Sequence, residues 1–268
     1  MGLHEVKFSN ISQTSPVQKR ISLARAAIYS LPDKNCFAIP GNLTARKIAH
    51  RFPSDIRDGS CAYFCFGGDI SLLVNGFGFR DAIGYDCRPM FNPRIDDEIG
   101  HQPTKAFDDT LEEFLAAAAR ERMKCGFLYN GFLSRFNEVA SFMFFDILAL
   151  GGTDLKVFQT ESGDQLYKIT FDLHQQRFRV YVVRETLIKG NRPSHLEEVE
   201  PFTVLIRAGD SGFSDPYAAI GHFSGSLPAG SLLVSDKEIT SPQLKPVYFP
   251  VQPAPFGYSA SNVYIYRK

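Results

Sequence analysis

Residues 61–86 read CAYFCFGGDISLLVNGFGFRDAIGYD, and this stretch decides the fold. Cys61 to Phe66 is a continuous apolar run, the pattern of a strand buried on both faces. Gly67-Gly68-Asp69 breaks the run. Ile70, Leu73, Val74 and Phe77 then recur at helical spacing up to Gly78. Residues 81–85 are again short and apolar, and they end on Asp86. Strand, Gly-Gly turn, helix, strand and acidic residue follow one another over the length of one βαβ crossover unit.

Upstream, residues 1–15 are polar and read as a loose arm. Apolar spacing from Ser15 to Ser30, with Pro16 in the first turn, predicts a helix, and residues 43–51 predict a second. Downstream, a Pro-containing loop runs from Arg88 to about Thr104. A helix follows over 107–124, with Asp108 and Asp109 opposing its dipole. Another covers 134–150, from an N-cap at Ser134 to a stop at Gly151-Gly152. Residues 155–160 read as a strand, and 166–173 with 177–184 as a β-hairpin. The last third predicts a buried strand at 202–206, a weaker helix at 215–224 and a buried strand at 231–234. Residues 246–251 and 262–267 then read as an antiparallel pair at the sheet edge.

Composition bounds the answer. The chain has 268 residues, 44% hydrophobic and 22% charged, which excludes a disordered or low-complexity protein. Lys+Arg and Asp+Glu balance at 29 each, which argues against a general nucleic-acid binder. No apolar run approaches the length of a bilayer span, so no membrane is expected. Cys36, Cys61, Cys65, Cys87 and Cys125 are odd in number and irregular in spacing, and no secretory signal precedes them. Reduced thiols and a cytoplasmic location are the simplest reading. Cys61 and Cys65 lack a partner cluster for zinc, and the six His show no ligand spacing, so no metal is assigned.

The ordered pieces resemble the class I S-adenosylmethionine-dependent methyltransferase superfamily, as a divergent member. They are Phe64-Cys65-Phe66-Gly67-Gly68-Asp69, Ile83-Gly84-Tyr85-Asp86, Phe202 to Asp210, Leu227-Pro228-Ala229-Gly230-Ser231-Leu232-Leu233-Val234 and Asn262-Val263-Tyr264-Ile265-Tyr266. The resemblance spans about 56–268 and implies an α/β fold with a Rossmann-like, mostly parallel sheet and flanking helices. It also implies an antiparallel C-terminal edge strand, with the hairpin as an insertion. Residues 1–55 would form an N-terminal helical segment packed on that core.

The resemblance implies S-adenosylmethionine as cofactor and an unidentified small-molecule or macromolecular methyl acceptor. Phe66, Gly67, Gly68 and Asp69 would approach it after the first strand, with free N–H groups of the helix start facing its carboxylate. Asp69 would receive its amino group, Asp86, with Cys87 beside it, would hold the ribose hydroxyls, and Glu185 would reach the adenine amine. Asp210 would orient the acceptor in catalysis. The chain departs from the family in two places: Cys65 stands at the first Gly position, and Arg207-Ala208-Gly209-Asp210 replaces the Asn/Asp-Pro-Pro-aromatic motif of amino-methylating members.

Plainer readings stand beside these. Asp69 is equally a helix cap, and solvation is the plainer role for Glu185 and Asp210. The departures motivate a catalytically inactive scaffold that binds a protein partner or assembles with itself. A nicotinamide-dependent oxidoreductase would want a fuller Gly-rich turn. A Cys36 hydrolase would need His50, His101 or His222 as base, and no local sequence fixes that pair. Arg177, Arg179, Arg184 and Lys168, interleaved with Phe178 and Tyr181, form a basic group on the hairpin. A grip on an anionic substrate or RNA is the sharper reading of it, and a solvated strand face the plainer.

Overall fold

The computed structural model describes residues 3–5, 40–53, 56, 59–90, 139, 143, 146–147, 150–160, 166–185, 192–206, 216–247 and 263–268. The expected helices at 15–30 and 107–124 lie outside them, as do Cys36, His101, Cys125 and Asp210. Of the 134–150 helix, Val139, Met143, Asp146 and Ile147 are helical and buried, the spacing of one inward face.

The described residues form a mixed α/β structure around one ten-stranded sheet. Its strands are β1 (Leu3–Glu5), β2 (Cys61–Phe64), β3 (Asp81–Asp86), β4 (Thr153–Thr160), β5 (Leu166–Leu173) and β6 (Gln176–Arg184). The others are β7 (Thr203–Ile206), β8 (Leu232–Ser235), β9 (Lys245–Pro246) and β10 (Tyr264–Arg267). Across the sheet they run β1-β4-β5-β6-β3-β2-β7-β8-β10-β9. Five central strands are parallel, pairing β6 with β3, β3 with β2, β2 with β7 and β7 with β8. By chain order among themselves they stand third, second, first, fourth, fifth. The chain therefore leaves β2 toward one side of the sheet and leaves β7 toward the other.

Helices cover both faces, which is why the central strands are apolar throughout. Cys61 and Tyr63 point into a core with Leu73 and Phe77, with Ala45 and Ile48 of helix α1 (Pro40–Arg51), and with Val139, Met143 and Ile147. Ala62 and Phe64 point the other way, toward Ala219, Ile220 and Phe223 of α2 (Pro216–Phe223). Phe64 stacks on Tyr85 of the neighbouring strand at 5.0 Å.

The sheet differs from expectation in three places. First, β2 stops at Phe64 instead of Phe66, because Cys65 takes a left-handed backbone (φ 59°) and turns the chain. Second, the hairpin is no insertion. Its turn is two residues, His174 and Gln175, both at positive φ as a type I′ turn requires. Its second arm, β6, is a central parallel strand, and β5, β4 and β1 extend the sheet antiparallel beyond it. Third, Leu3–Glu5, inside the expected loose arm, is a strand paired with β4, whereas the expected antiparallel pair at the edge is present as β10 and β9. Both outer strands are short, and β9 ends on Pro246, which limits edge-to-edge pairing.

Residues 71–77 form a π-helical turn where an α-helix was expected. Gly78, at φ 84°, donates its N–H to Leu73 O at 3.0 Å, five residues back, and ends the turn.

Candidate functional site

The parallel order reverses between β2 and β7, and ligands of open α/β sheets bind beyond the carboxyl ends of strands at such a reversal. Cys65-Phe66-Gly67-Gly68 leaves β2 at that edge, and Asp86 ends β3 beside it. Three of these turn residues have positive φ: Cys65 at 59°, Gly67 at 63° and Gly68 at 85°. Phe66 holds the turn against β3 by donating its N–H to Tyr85 O at 2.9 Å. Asp86 fixes it further, accepting the Gly67 N–H on Oδ2 at 2.7 Å. The structure thus brings the predicted glycines and the predicted carboxylate together.

Asp86 is 7% exposed and fully engaged. Besides Gly67 it accepts from the backbone N–H of Arg88 on Oδ1 at 2.9 Å. The Arg88 guanidinium adds a two-pronged contact, Nε to Oδ1 at 3.0 Å and Nη2 to Oδ2 at 3.1 Å. Those bonds use about all four acceptor sites of a carboxylate. Burial works to lower the Arg88 pKa, but the bonds and charge of Asp86 outweigh it and raise the pKa above its ordinary value. A Cβ at Gly67 would lie 3.1 Å from Nη2, so Arg88 also covers the glycine turn.

The start of the π-helical turn carries two carboxylates. Asp69 Oδ1 accepts the N–H of Leu72 at 2.9 Å, so Asp69 caps this segment. Asp146, 1% exposed, accepts the N–H of Ser71 on Oδ2 at 2.7 Å. Its Oδ1 is buried without a hydrogen-bond partner among the described residues. Burial first, and then the charge of Asp69, push the Asp146 pKa well above the usual carboxylate range, against the N–H groups of Ser71 and Ile70. The expected free N–H groups for a ligand carboxylate are therefore not all free: Asp146 and Asp69 hold those of Ser71 and Leu72.

The structure places three other predicted site residues. Phe66 is 1% exposed, and its ring lies where a Cβ on Gly84 would fall, 2.5 Å away. Its N–H and C=O are both used within the fold, so Phe66 is a core residue of the turn. Glu185 follows β6 and pairs its N–H with Asp86 O at 2.9 Å. Its carboxylate accepts from Ser194 N at 3.0 Å and Ser194 Oγ at 2.6 Å, so it anchors the segment around 194. Tyr85 Oη reaches Ser194 O at 2.7 Å and ties the same segment down. The Cys87 side chain is exposed, and its carbonyl meets Arg184 Nε at 3.4 Å.

On the hairpin, carboxylates answer the basic side chains. Arg177 meets Asp154 at 2.6 Å and Asp172 at 3.0 Å, and Arg179 meets Asp81 at 2.6 Å. Lys168 lies over the Tyr181 ring at 5.9 Å. Among the described residues no three His, Cys, Asp or Glu side chains gather to hold a metal ion. No helix among them is long and apolar enough to cross a membrane.

Sequence reasoning missed Arg88 and Asp146. Arg88 stood two places past the predicted carboxylate. Asp146 was the single acid in the apolar stretch 139–150 of the expected helix, on the same face as Met143 and Ile147. No family model, no curated protein and no solved structure matches the chain significantly.

Proposed function

We propose that this chain binds S-adenosylmethionine at the corner formed by Gly67, Gly68 and Asp86, and transfers its methyl group to an acceptor. The observation that carries the reading is a conjunction. The parallel strands stand in the third-second-first-fourth-fifth order of a doubly wound, Rossmann-like sheet. The glycine turn and the Asp86 carboxylate meet, 2.7 Å apart, at the carboxyl edge where that order reverses. The antiparallel β10 next to β8 accords with the resemblance to class I methyltransferases and not with an all-parallel dinucleotide-binding sheet.

Charge favours the same ligand over a dinucleotide. A pyrophosphate and the single carboxylate of S-adenosylmethionine both call on N–H groups at the helix start, of which Asp146 and Asp69 take two, and the pyrophosphate brings more negative charge to these acids. Arg88 neutralises Asp86 and burial disfavours charge on Asp146, so Asp69 supplies the negative charge at the turn that suits the ammonium of S-adenosylmethionine. Methyl transfer is an in-line displacement at the sulfonium. The protein's work is to align the acceptor with it and keep water out, so the reaction requires few side chains. Asp210, a few positions beyond β7 in sequence, is the acceptor-orienting candidate.

The alternative, an inactive scaffold, draws support from one feature: Arg88 occupies the carboxylate that a ribose would need. Thermal unfolding separates the two readings. S-adenosylhomocysteine at about 100 times its dissociation constant adds about 2.7 kcal/mol, a shift of several degrees, whereas NAD at the same concentration gives none. No shift with S-adenosylhomocysteine favours the scaffold, and a shift with NAD alone favours an oxidoreductase.

A further inference from the structure

We infer that Arg88 is the specificity-determining residue of this site: it occupies the diol-binding carboxylate as a latch, and only a ligand that offers paired hydroxyls to Asp86 displaces it. The inference rests on the reading that Asp86 is a ribose ligand, and it names what regulates access there. Two observations carry it. Arg88 Nε and Nη2 take both oxygens of Asp86, the atoms a vicinal diol would use. The same Nη2 lies 3.1 Å from the position of a Cβ on Gly67, so the guanidinium fills the space a ligand would need over the turn.

The latch is built to open. Its side chain is 27% exposed, so the guanidinium has water to move into. When it leaves, Asp86 keeps two donors, the backbone N–H groups of Gly67 and Arg88. The carboxylate then remains oriented, with one acceptor site open on each oxygen. A diol donates one hydrogen bond to each. A phosphate cannot replace the guanidinium there, because it brings acceptors and negative charge to a carboxylate. A free phosphate on the closed form would meet an arginine already neutralised by Asp86.

Closing the site in this way weakens apparent affinity by the fraction of molecules that are open. Two charge-assisted bonds make that fraction small, so truncating Arg88 tightens binding about tenfold or more. A tightening is diagnostic, because damage to the fold loosens binding.

The test is calorimetric titration of the full chain with adenosine and S-adenosylhomocysteine. It compares the wild type, Arg88→Ala, Arg88→Met, which keeps the stem, and the double variant Asp86→Asn with Arg88→Ala. Circular dichroism checks that each is folded. Tighter binding of adenosine and S-adenosylhomocysteine by both Arg88 variants, lost in the double variant, is the expected result. Tighter binding of adenosine by the variants, with no binding of S-adenosylhomocysteine by any form, keeps the latch and removes the methyltransferase reading. Equal binding of both adenosine and S-adenosylhomocysteine by wild type and variants overturns the latch and leaves that reading intact. Weaker binding by the variants makes Arg88 a ligand contact and overturns the latch. No binding by any folded form overturns both.

Discussion

Cys65 sits at a left-handed φ of 59° in a turn whose Gly67 and Gly68 are left-handed too. A side chain there costs about 1–2 kcal/mol, while glycine carries about 0.5–1 kcal/mol of extra unfolded-state entropy. Cys65→Gly therefore raises stability by up to about 1 kcal/mol, and the β-branched Cys65→Val lowers it by about 1 kcal/mol or more. Urea midpoints of the two variants check the difference. The absent glycine was visible in the sequence as a departure, and the backbone still takes the conformation a glycine would.

Asp146 makes a pH prediction at the same scale. Burial and then Asp69 raise its folded pKa above the unfolded value of about 3.9. The folded state thus binds more protons between those two values, and stability contributed by Asp146 is full below about pH 4 and lost as pH rises through the folded pKa. Asp146→Asn does not ionise. Its stability relative to wild type grows from about pH 4 upward, and a difference that is constant with pH contradicts the assignment. The sequence reading passed over this acid in an apolar run, and its partner Ser71 lies 75 residues away, a pairing no local pattern encodes.

At the scale of elements, the apolar runs at 61–66, 202–206 and 231–234 were readable as buried parallel strands because both their faces are covered. The hairpin was readable too, from its alternation, with the second arm starting one residue earlier than expected, at Gln176. What was misassigned is the role of its second arm. Val180-Tyr181-Val182-Val183 is itself a continuous apolar run, the mark of a strand buried on both sides, and all four are buried between β5 and β3. Hydrogen exchange distinguishes a core strand from a decoration. The amides of Val180 and Val182 belong with the slowest in the protein, alongside those of β2, while Lys245 at the short edge exchanges early. Early exchange across β6 contradicts its central place. The π-helical turn was beyond the sequence pattern, since apolar spacing does not separate it from one α-helical turn too many.

At the scale of the molecule, strand order converts distant segments into one corner. Gly67 and Asp86 come from consecutive strands, so their meeting was legible from a single βαβ unit. Arg88 over them was not, because its conformation depends on the buried carboxylate it meets. The Asp69 cap on the Leu72 N–H was legible as one of two readings of that residue, but the hold of Asp146 on the Ser71 N–H was not. The central claim is that the corner holds an adenosyl ligand through Asp86. Calorimetric titration of S-adenosylhomocysteine into the wild type and into Asp86→Ala tests it most directly. The account predicts saturable, one-to-one binding that Asp86→Ala loses while remaining folded. Binding that survives Asp86→Ala unchanged, or no saturable heat in the wild type, would contradict it.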